Sequence, residues 1–490
     1  MSNRRTFIRK AFGLGAGLFA APGVLAESQH GVSFPNSRML KEDRSGRPGV
    51  AFNMPVVTAD IGDLSYTMDG DTKVFHLIAE VVKQRISPLK TIDTWGFNGS
   101  APGPTIQVNQ YDRVRVIFDN RLPEPTSIHW HGFEDAIQND GQPGISQDPV
   151  RPGGRFIYEF NIHQAGTYFY HSHMAMQEMA GMLGAFIMHP REPYRPHCDK
   201  DFLIHLQEYA VLPNNTVPNT MNMEFNWLLL NGKAAPATTP LIVRLGDRVR
   251  IRFVNLGMDH HPMHLHGHTF YTTGTEGGRI PEAAWWPGNT VLVGVAQARN
   301  VEFVANNPGD WMIHCHLPHH MMNQMSSNVG KMTRSAGMPA GGDMNTGMGV
   351  LKGNPGGPMG EDYGPALGRG LGGVGNASDT PTTNGPLSED KAMAAMPGMQ
   401  MGDSHGDIAK NANDVPNFPQ DVYMEGPMMA MDEMVDRPEN YGLRPGWSGF
   451  MQGMMTFVRV LPLEKYDEVI SRMKQANRTN DPYAAILERA

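Results

Sequence analysis

The chain has 490 residues, 40% hydrophobic and 18% charged, which suits two to four soluble domains and excludes a bundle of membrane spans or a highly charged disordered chain. A balance of 41 Lys+Arg against 49 Asp+Glu gives a formal charge of −8 with no basic block, so nucleic acid is a poor partner. Two cysteines, Cys198 and Cys315, exclude a disulfide scaffold, and the counts that stand out are 55 Gly, 35 Met and 20 His.

At the N-terminus, Arg4-Arg5-Thr6-Phe7 is followed by more positive charge and an apolar run from Ala11 to Val24. Val24-Leu25-Ala26 supplies small residues at a cleavage position, so residues 1–26 are expected to be a Tat signal peptide. The apolar run is too short and Gly-rich to span about 30 Å of hydrocarbon. Cleavage would leave a mature charge of −12, in the periplasm or outside the cell, with no later membrane-spanning segment expected.

The middle of the chain repeats itself. Asp112-Arg113-Val114-Arg115-Val116 returns as Asp247-Arg248-Val249-Arg250-Ile251, and His129-Trp130-His131-Gly132 returns as His264-Leu265-His266-Gly267, both at an offset of 135. Gly166-Thr167-Tyr168-Phe169-Tyr170-His171-Ser172-His173 is echoed by Gly309-Asp310-Trp311-Met312-Ile313-His314-Cys315-His316 at an offset of 143. Short alternating or β-branched runs (Arg113–Phe118, Phe156–Ile162, Met182–Met188, Arg248–Val254, Val301–Val304) lie between Gly, Pro and Asn turns. The expectation is an all-β chain of two tandem sandwiches, domain 1 at 50–195 and domain 2 at 196–328.

Residues 326–415 contain 20 Gly among Met, Pro, Asn and Ser, so 329–415 is expected to be a low-complexity Met/Gly-rich tract. A C-terminal extension, 416–490, should hold a strand at Thr456–Leu461. An amphipathic helix should follow Pro462, with Tyr466, Val469, Ile470 and Met473 on one face.

Four His-x-His pairs stand at 129/131, 171/173, 264/266 and 314/316. In a strand, residues i and i+2 share a face. Each pair therefore aims two imidazoles one way and turns Trp130, Ser172, Leu265 or Cys315 the other way. Twenty scattered His would give about one such pair by chance, so four at matching repeat positions mark a metal cluster. Eight imidazoles exceed the needs of one tetrahedral ion. A second set, His261, Cys315 and His320 with Met325 further on, has the composition of a blue-copper electron-transfer centre: two His, one thiolate and a thioether.

These signatures, spread over roughly residues 50–328, resemble the multicopper oxidases, which are built from Greek-key cupredoxin domains. The resemblance implies four copper ions. His261, Cys315 and His320, with Met325 axial, would hold the type 1 copper. His129 and His264 would hold the type 2 copper, and His131, His171, His173, His266, His314 and His316 the binuclear type 3 pair. It also implies coupling of one-electron oxidations of a reductant to four-electron reduction of O₂ to water. Asp140 matches an acidic position that serves proton delivery in related enzymes, with an Asx turn before Gly141 as the plain alternative. Met321 stands where some relatives carry a second acid.

With only two domains, the three-copper cluster should form between domain 1 of one subunit and domain 2 of the next, as in similar two-domain homotrimers. The favoured reductant is Cu(I), in copper tolerance, because 21 of the 35 Met fall in residues 320–490. Met338–Met401 would then collect the ion. A laccase-like phenol oxidase, or a copper-storage protein with vestigial oxidase activity, are the alternatives; Mn(II) and Fe(II) stay open as reductants.

Overall fold

The computed structural model describes residues 54–88, 90–174, 176–211, 216–220, 225–322 and 432–476. The expected signal peptide, the Met/Gly-rich tract and Met325 lie outside them. Among the described residues no helix is long and apolar enough to cross a membrane.

Two β-sandwiches follow one another, as the repeat requires. In the first, one sheet orders the strands Tyr66–Asp69, Thr72–Ser87, Arg113–Asn120 and Arg155–Asn161, with Lys90–Phe97 also paired to Thr72–Ser87. The other runs Ile106–Asn109, Leu183–His189, Gly166–Ser172, Ile128–His131. Alternation sets the faces: Val114, Val116 and Phe118 point inward while Arg113 and Arg115 hold surface carboxylates. Phe75, Leu77, Trp130, Tyr158, Tyr170 and Phe186 fill the space between the sheets. A fully buried aromatic contributes about 1.5–3 kcal/mol, so this layer dominates the first core.

In the second sandwich, one sheet is built on Lys200–Tyr209, Arg248–Asn255, Gln297–Val304 and Phe270–Thr275. The facing sheet orders Leu241–Arg244, Met455–Leu461, Gly309–Cys315, His261–Leu265 and Thr290–Val293. The C-terminal strand is therefore not an appendage. Met455–Leu461 lies parallel to Leu241–Arg244 and antiparallel to Gly309–Cys315. Val458 and Val460 enter the main core. The helix Leu463–Gln475 follows and buries the four positions its periodicity marked, Tyr466, Val469, Ile470 and Met473.

The repeat shows at the residue level. Gly166 and Gly309 open equivalent strands at φ +155° and +151°, a conformation side chains disfavour. The sandwiches pack through Phe169, Leu183, Ala185 and Ile187 against Leu203, Val254, Leu256 and Ala298. Beside this seam Arg252 pairs with Asp201 and reaches across to donate to Thr167 Oγ1 at 2.7 Å.

Candidate metal centre

Strand pairing explains how one polypeptide aims donors in two directions. In the second sandwich Met263 pairs with Cys315, His264 with His314 and Leu265 with Ile313. Residues paired across a ladder share a face. Met263, Leu265, Ile313 and Cys315 accordingly lie in the core, and the histidines emerge on the outer face. In the first sandwich His129 pairs with His171 and Trp130 with Tyr170, which leaves Trp130 and Tyr170 inside and the imidazoles outside.

On the inner face His261, Cys315 and His320 form one dry group, each 0% exposed. The two Nδ1 atoms stand 3.2 Å apart, and Cys315 Sγ lies 3.7 Å from His261 Nδ1 and 3.5 Å from His320 Nδ1. Burial pushes the Cys315 thiol up to about 12, so the thiolate needs a cation at this spot. Behind the donors stand two carboxylates that the sequence did not announce. Glu208, itself 0% exposed, places Oε2 3.2 Å from His261 Nε2. Its Oε1 accepts the main-chain N–H of Asp259 at 2.9 Å and that of Met258. Asp259 in turn sits 3.4 Å from His320 Nε2. A Cβ on Gly257 would meet Glu208 Oε2 at 2.2 Å, so only glycine leaves room for that carboxylate.

On the outer faces the eight paired histidines form two matching groups. His129 contacts His131, His171 and His173 at ring separations of 5.3–5.4 Å. His264 contacts its repeat equivalents His266, His314 and His316 at 4.8, 5.6 and 5.4 Å. Their anchoring also repeats. His129 Nδ1 donates to the Asp140 carbonyl at 2.7 Å, and His264 Nδ1 to the Asn289 carbonyl at 2.8 Å. His171 and His314 donate Nδ1–H to the carbonyls of Ser172 and Cys315 at 3.0 and 2.7 Å. A carbonyl only accepts, so these four rings carry the proton on Nδ1 and leave the Nε2 lone pair for a metal. Burial lowers the pKa of His129, His266 and His314, and burial with the neighbouring His171 takes His131 down to about 4. His171 alone moves up: burial opposes it, but the Glu178 carboxylate 3.1 Å from Nδ1 outweighs that.

Among the described residues, ring contacts join the imidazoles within each group and none joins one group to the other. Asp140 touches His129 twice, through its carbonyl and through Oδ1 at 3.5 Å. Gly141 follows at φ +80°, where a Cβ would stand 1.8 Å from the Ile128 carbonyl oxygen. His268 is buried between Phe303 and Trp311 and bonds the His266 carbonyl, a supporting place. Cys198 is a buried free thiol.

Imidazole nitrogens with one thiolate in a sealed pocket, and imidazoles alone on an open face, are donor sets that suit copper. The inner triad could hold one ion and each outer group part of a cluster.

The comparisons agree with this chemistry. Residues 80–193 and 210–334 match two multicopper oxidase family profiles, one on each sandwich. A copper resistance protein A homolog from Pseudomonas syringae pv. tomato is 39% identical over 113 residues, 23% of this chain and 19% of the relative. Laccase-1 from Agaricus bisporus is 39% identical over 189 residues, 33% of this chain and 36% of the laccase. The chain therefore spans about a fifth of the copper resistance relatives it matches and about a third of the laccase. The solved blue copper oxidase from Nitrosomonas europaea is 30% identical, with 52% of this chain covering 82% of that one at a TM-score of 0.48. With both sandwiches matched and that relative covered over most of its length, the chain belongs to the multicopper oxidase family, whose cofactor is copper.

Proposed function

We propose that this protein is a copper-dependent oxidase that takes single electrons from a reductant, Cu(I) in the favoured case, and uses four of them to reduce O₂ to water. One observation carries the reading: Cys315 faces the inner triad while its chain neighbours His314 and His316 belong to the outer group. His261, Cys315 and His320 would hold the type 1 copper. His129 and His264 would hold the type 2 copper, and His131, His171, His173, His266, His314 and His316 the type 3 pair. Copper bound at these donors supplies one-electron transfer and the binding of O₂.

The protein's own residues do the rest. The inner donors are fully buried, and the Cys315 backbone leads from them to both adjacent imidazoles. Four of the outer imidazoles, His129, His171, His264 and His314, are oriented by main-chain carbonyls. Asp140, its side chain 40% exposed and 3.5 Å from His129 Nδ1, would pass protons toward the cluster, a role that this proximity supports. Two separate groups of four imidazoles support a cluster completed by a second copy, domain 1 of one subunit against domain 2 of the next, in a closed ring.

Cu(I) is favoured because the Met-rich stretch starts immediately after His320 and thioethers prefer soft cations. The test is O₂ uptake by the purified protein with Cu(I), Fe(II), Mn(II) and a simple phenol. Deleting Met338–Met401 should raise the KM for Cu(I) and spare phenol oxidation. Equal loss of both activities, or of neither, would return a laccase-like phenol oxidase to first place.

A further inference from the structure

The fourth donor of the inner site is Met454, we infer, and not Met325. Counting forward from Cys315 leads to Met325, which lies outside the described residues. The sheet leads elsewhere. The strand Met455–Leu461 runs antiparallel to Gly309–Cys315 with His314 opposite Met455. One step further in that register sets Met454 opposite Cys315, and the Cys315 amide donates to the Met454 carbonyl at 3.0 Å. The Met454 amide donates to the His320 carbonyl, also at 3.0 Å. Met454 is thus bonded to the segments bearing the thiol and the second imidazole.

Side-chain direction agrees. Met455 shares the outer face with its partner His314, so Met454 turns inward, as Cys315 does. It is 0% exposed and belongs to the same buried cluster as Cys315, Leu265 and Ile313. Gly453 turns the chain into this position at φ +63°, and its carbonyl is held by the Ala235 amide at 2.9 Å. A soft thioether is thereby delivered to a pocket that already offers two imidazole nitrogens and a thiolate, the set that a long, weak axial sulfur completes.

One rival is present inside the fold. Met263 also flanks Cys315, across the opposite strand pair, and is equally buried. It lacks the second tie: Met454 is hydrogen-bonded to both ends of the 315–320 loop, whereas Met263 is paired only with the cysteine end. The consequence reaches beyond ligand bookkeeping. His320 and Met454 are more than a hundred residues apart, and the whole Met/Gly-rich tract lies between them. In sequence the tract therefore lies between His320 and Met454, two donors of the electron-accepting copper.

This inference rests on His261, Cys315 and His320 holding the type 1 copper. The experiment is a redox titration of the full-length, copper-loaded protein followed by its blue absorption and electron paramagnetic resonance, for Met454→Leu, Met454→Gln, Met325→Leu and Met263→Leu. Met454→Leu should raise the potential, and Met454→Gln, with a stronger oxygen donor, should lower it and shift the absorption. Opposite shifts from one position exclude a packing effect, which would move both variants the same way. Met325→Leu and Met263→Leu should leave potential and spectrum as they are. A shift confined to Met325→Leu or Met263→Leu, or Met454 variants that move together or not at all, overturns the assignment. A protein with no blue band would instead refute the type 1 site itself.

Discussion

Replacing Glu208 by Gln removes one negative charge from behind His261 and leaves the shape of the pocket almost unchanged. The carboxylate oxygen lies 3.2 Å from His261 Nε2. Adding the width of the ring and a metal–nitrogen bond of about 2 Å places the charge about 7 Å from an ion at Nδ1. At an effective dielectric constant of about 20, a unit charge at that distance is worth about 2.4 kcal/mol in favour of the more positive ion. That corresponds to about 100 mV. Glu208→Gln should therefore raise the type 1 potential by about 100 mV, read by redox titration of the blue absorption. Because Gln still offers one oxygen to the amides of Met258 and Asp259, folding should survive. Glu208→Ala, in contrast, strands those two N–H groups and His261 Nε2 in a dry site, at a cost of about 3–5 kcal/mol in thermal or denaturant unfolding. A potential that stays within about 20 mV, or falls, in Glu208→Gln would refute a charge effect at this distance.

Mixing two inactive variants, His131→Ala in the first group and His266→Ala in the second, should restore about a quarter of wild-type O₂ uptake if random mixed rings form clusters between subunits; no recovery after subunit exchange would place each cluster within one chain. Gly141→Ala should lose both stability, by about 2–3 kcal/mol, and cluster copper by metal analysis, because the new Cβ collides with the Ile128 carbonyl next to the Asp140 oxygen that holds His129. Glu302 gives an acid-sensitivity prediction. Burial would raise its pKa, but Arg250 and Arg279 outweigh this and hold it at about 2 against an ordinary 4.5. A depressed carboxyl stabilises the fold above its ordinary value and loses that contribution as pH falls from 4.5 toward 2. Glu302→Gln should cost roughly 3 kcal/mol at neutral pH and flatten the acid dependence in that window; an unchanged acid midpoint would contradict it.

The inner and outer faces could be read from spacing alone, because the two-residue period of a strand decides where His314, Cys315 and His316 point. The offsets between the repeats likewise foretold two sandwiches, and the period of Tyr466, Val469, Ile470 and Met473 foretold the helix. Glu208 was harder to find. It sits in Leu206-Gln207-Glu208-Tyr209, and its partner, His261, comes from another sheet. Its strand also carries Lys200, Asp201, His205 and Gln207, so one more polar side chain there gave no local signal. Glu178 was hidden for the same reason, since its meeting with His171 depends on how the loop after His173 folds back. Met454 was out of reach because a motif count assumes a continuous loop. Only the pairing of Met455–Leu461 with Gly309–Cys315 sets Met454 opposite Cys315.

The place of Met455–Leu461 in the sheet also sets a timetable for making the protein. Until that strand leaves the ribosome, Leu241–Arg244 and Gly309–Cys315 have no neighbour between them, and the hydrogen bonds from Cys315 and to His320 are unmade. A nascent chain that has emerged only as far as Met401 already carries every strand of the first sandwich, yet its second sandwich has a slot in the middle of a sheet. Closing it means a contact across a long stretch of sequence, which folds late and carries a high loop-closure cost. The pocket of His261, Cys315 and His320 is thus closed by a strand made only after residues 329–415, so it reaches its final shape late in synthesis.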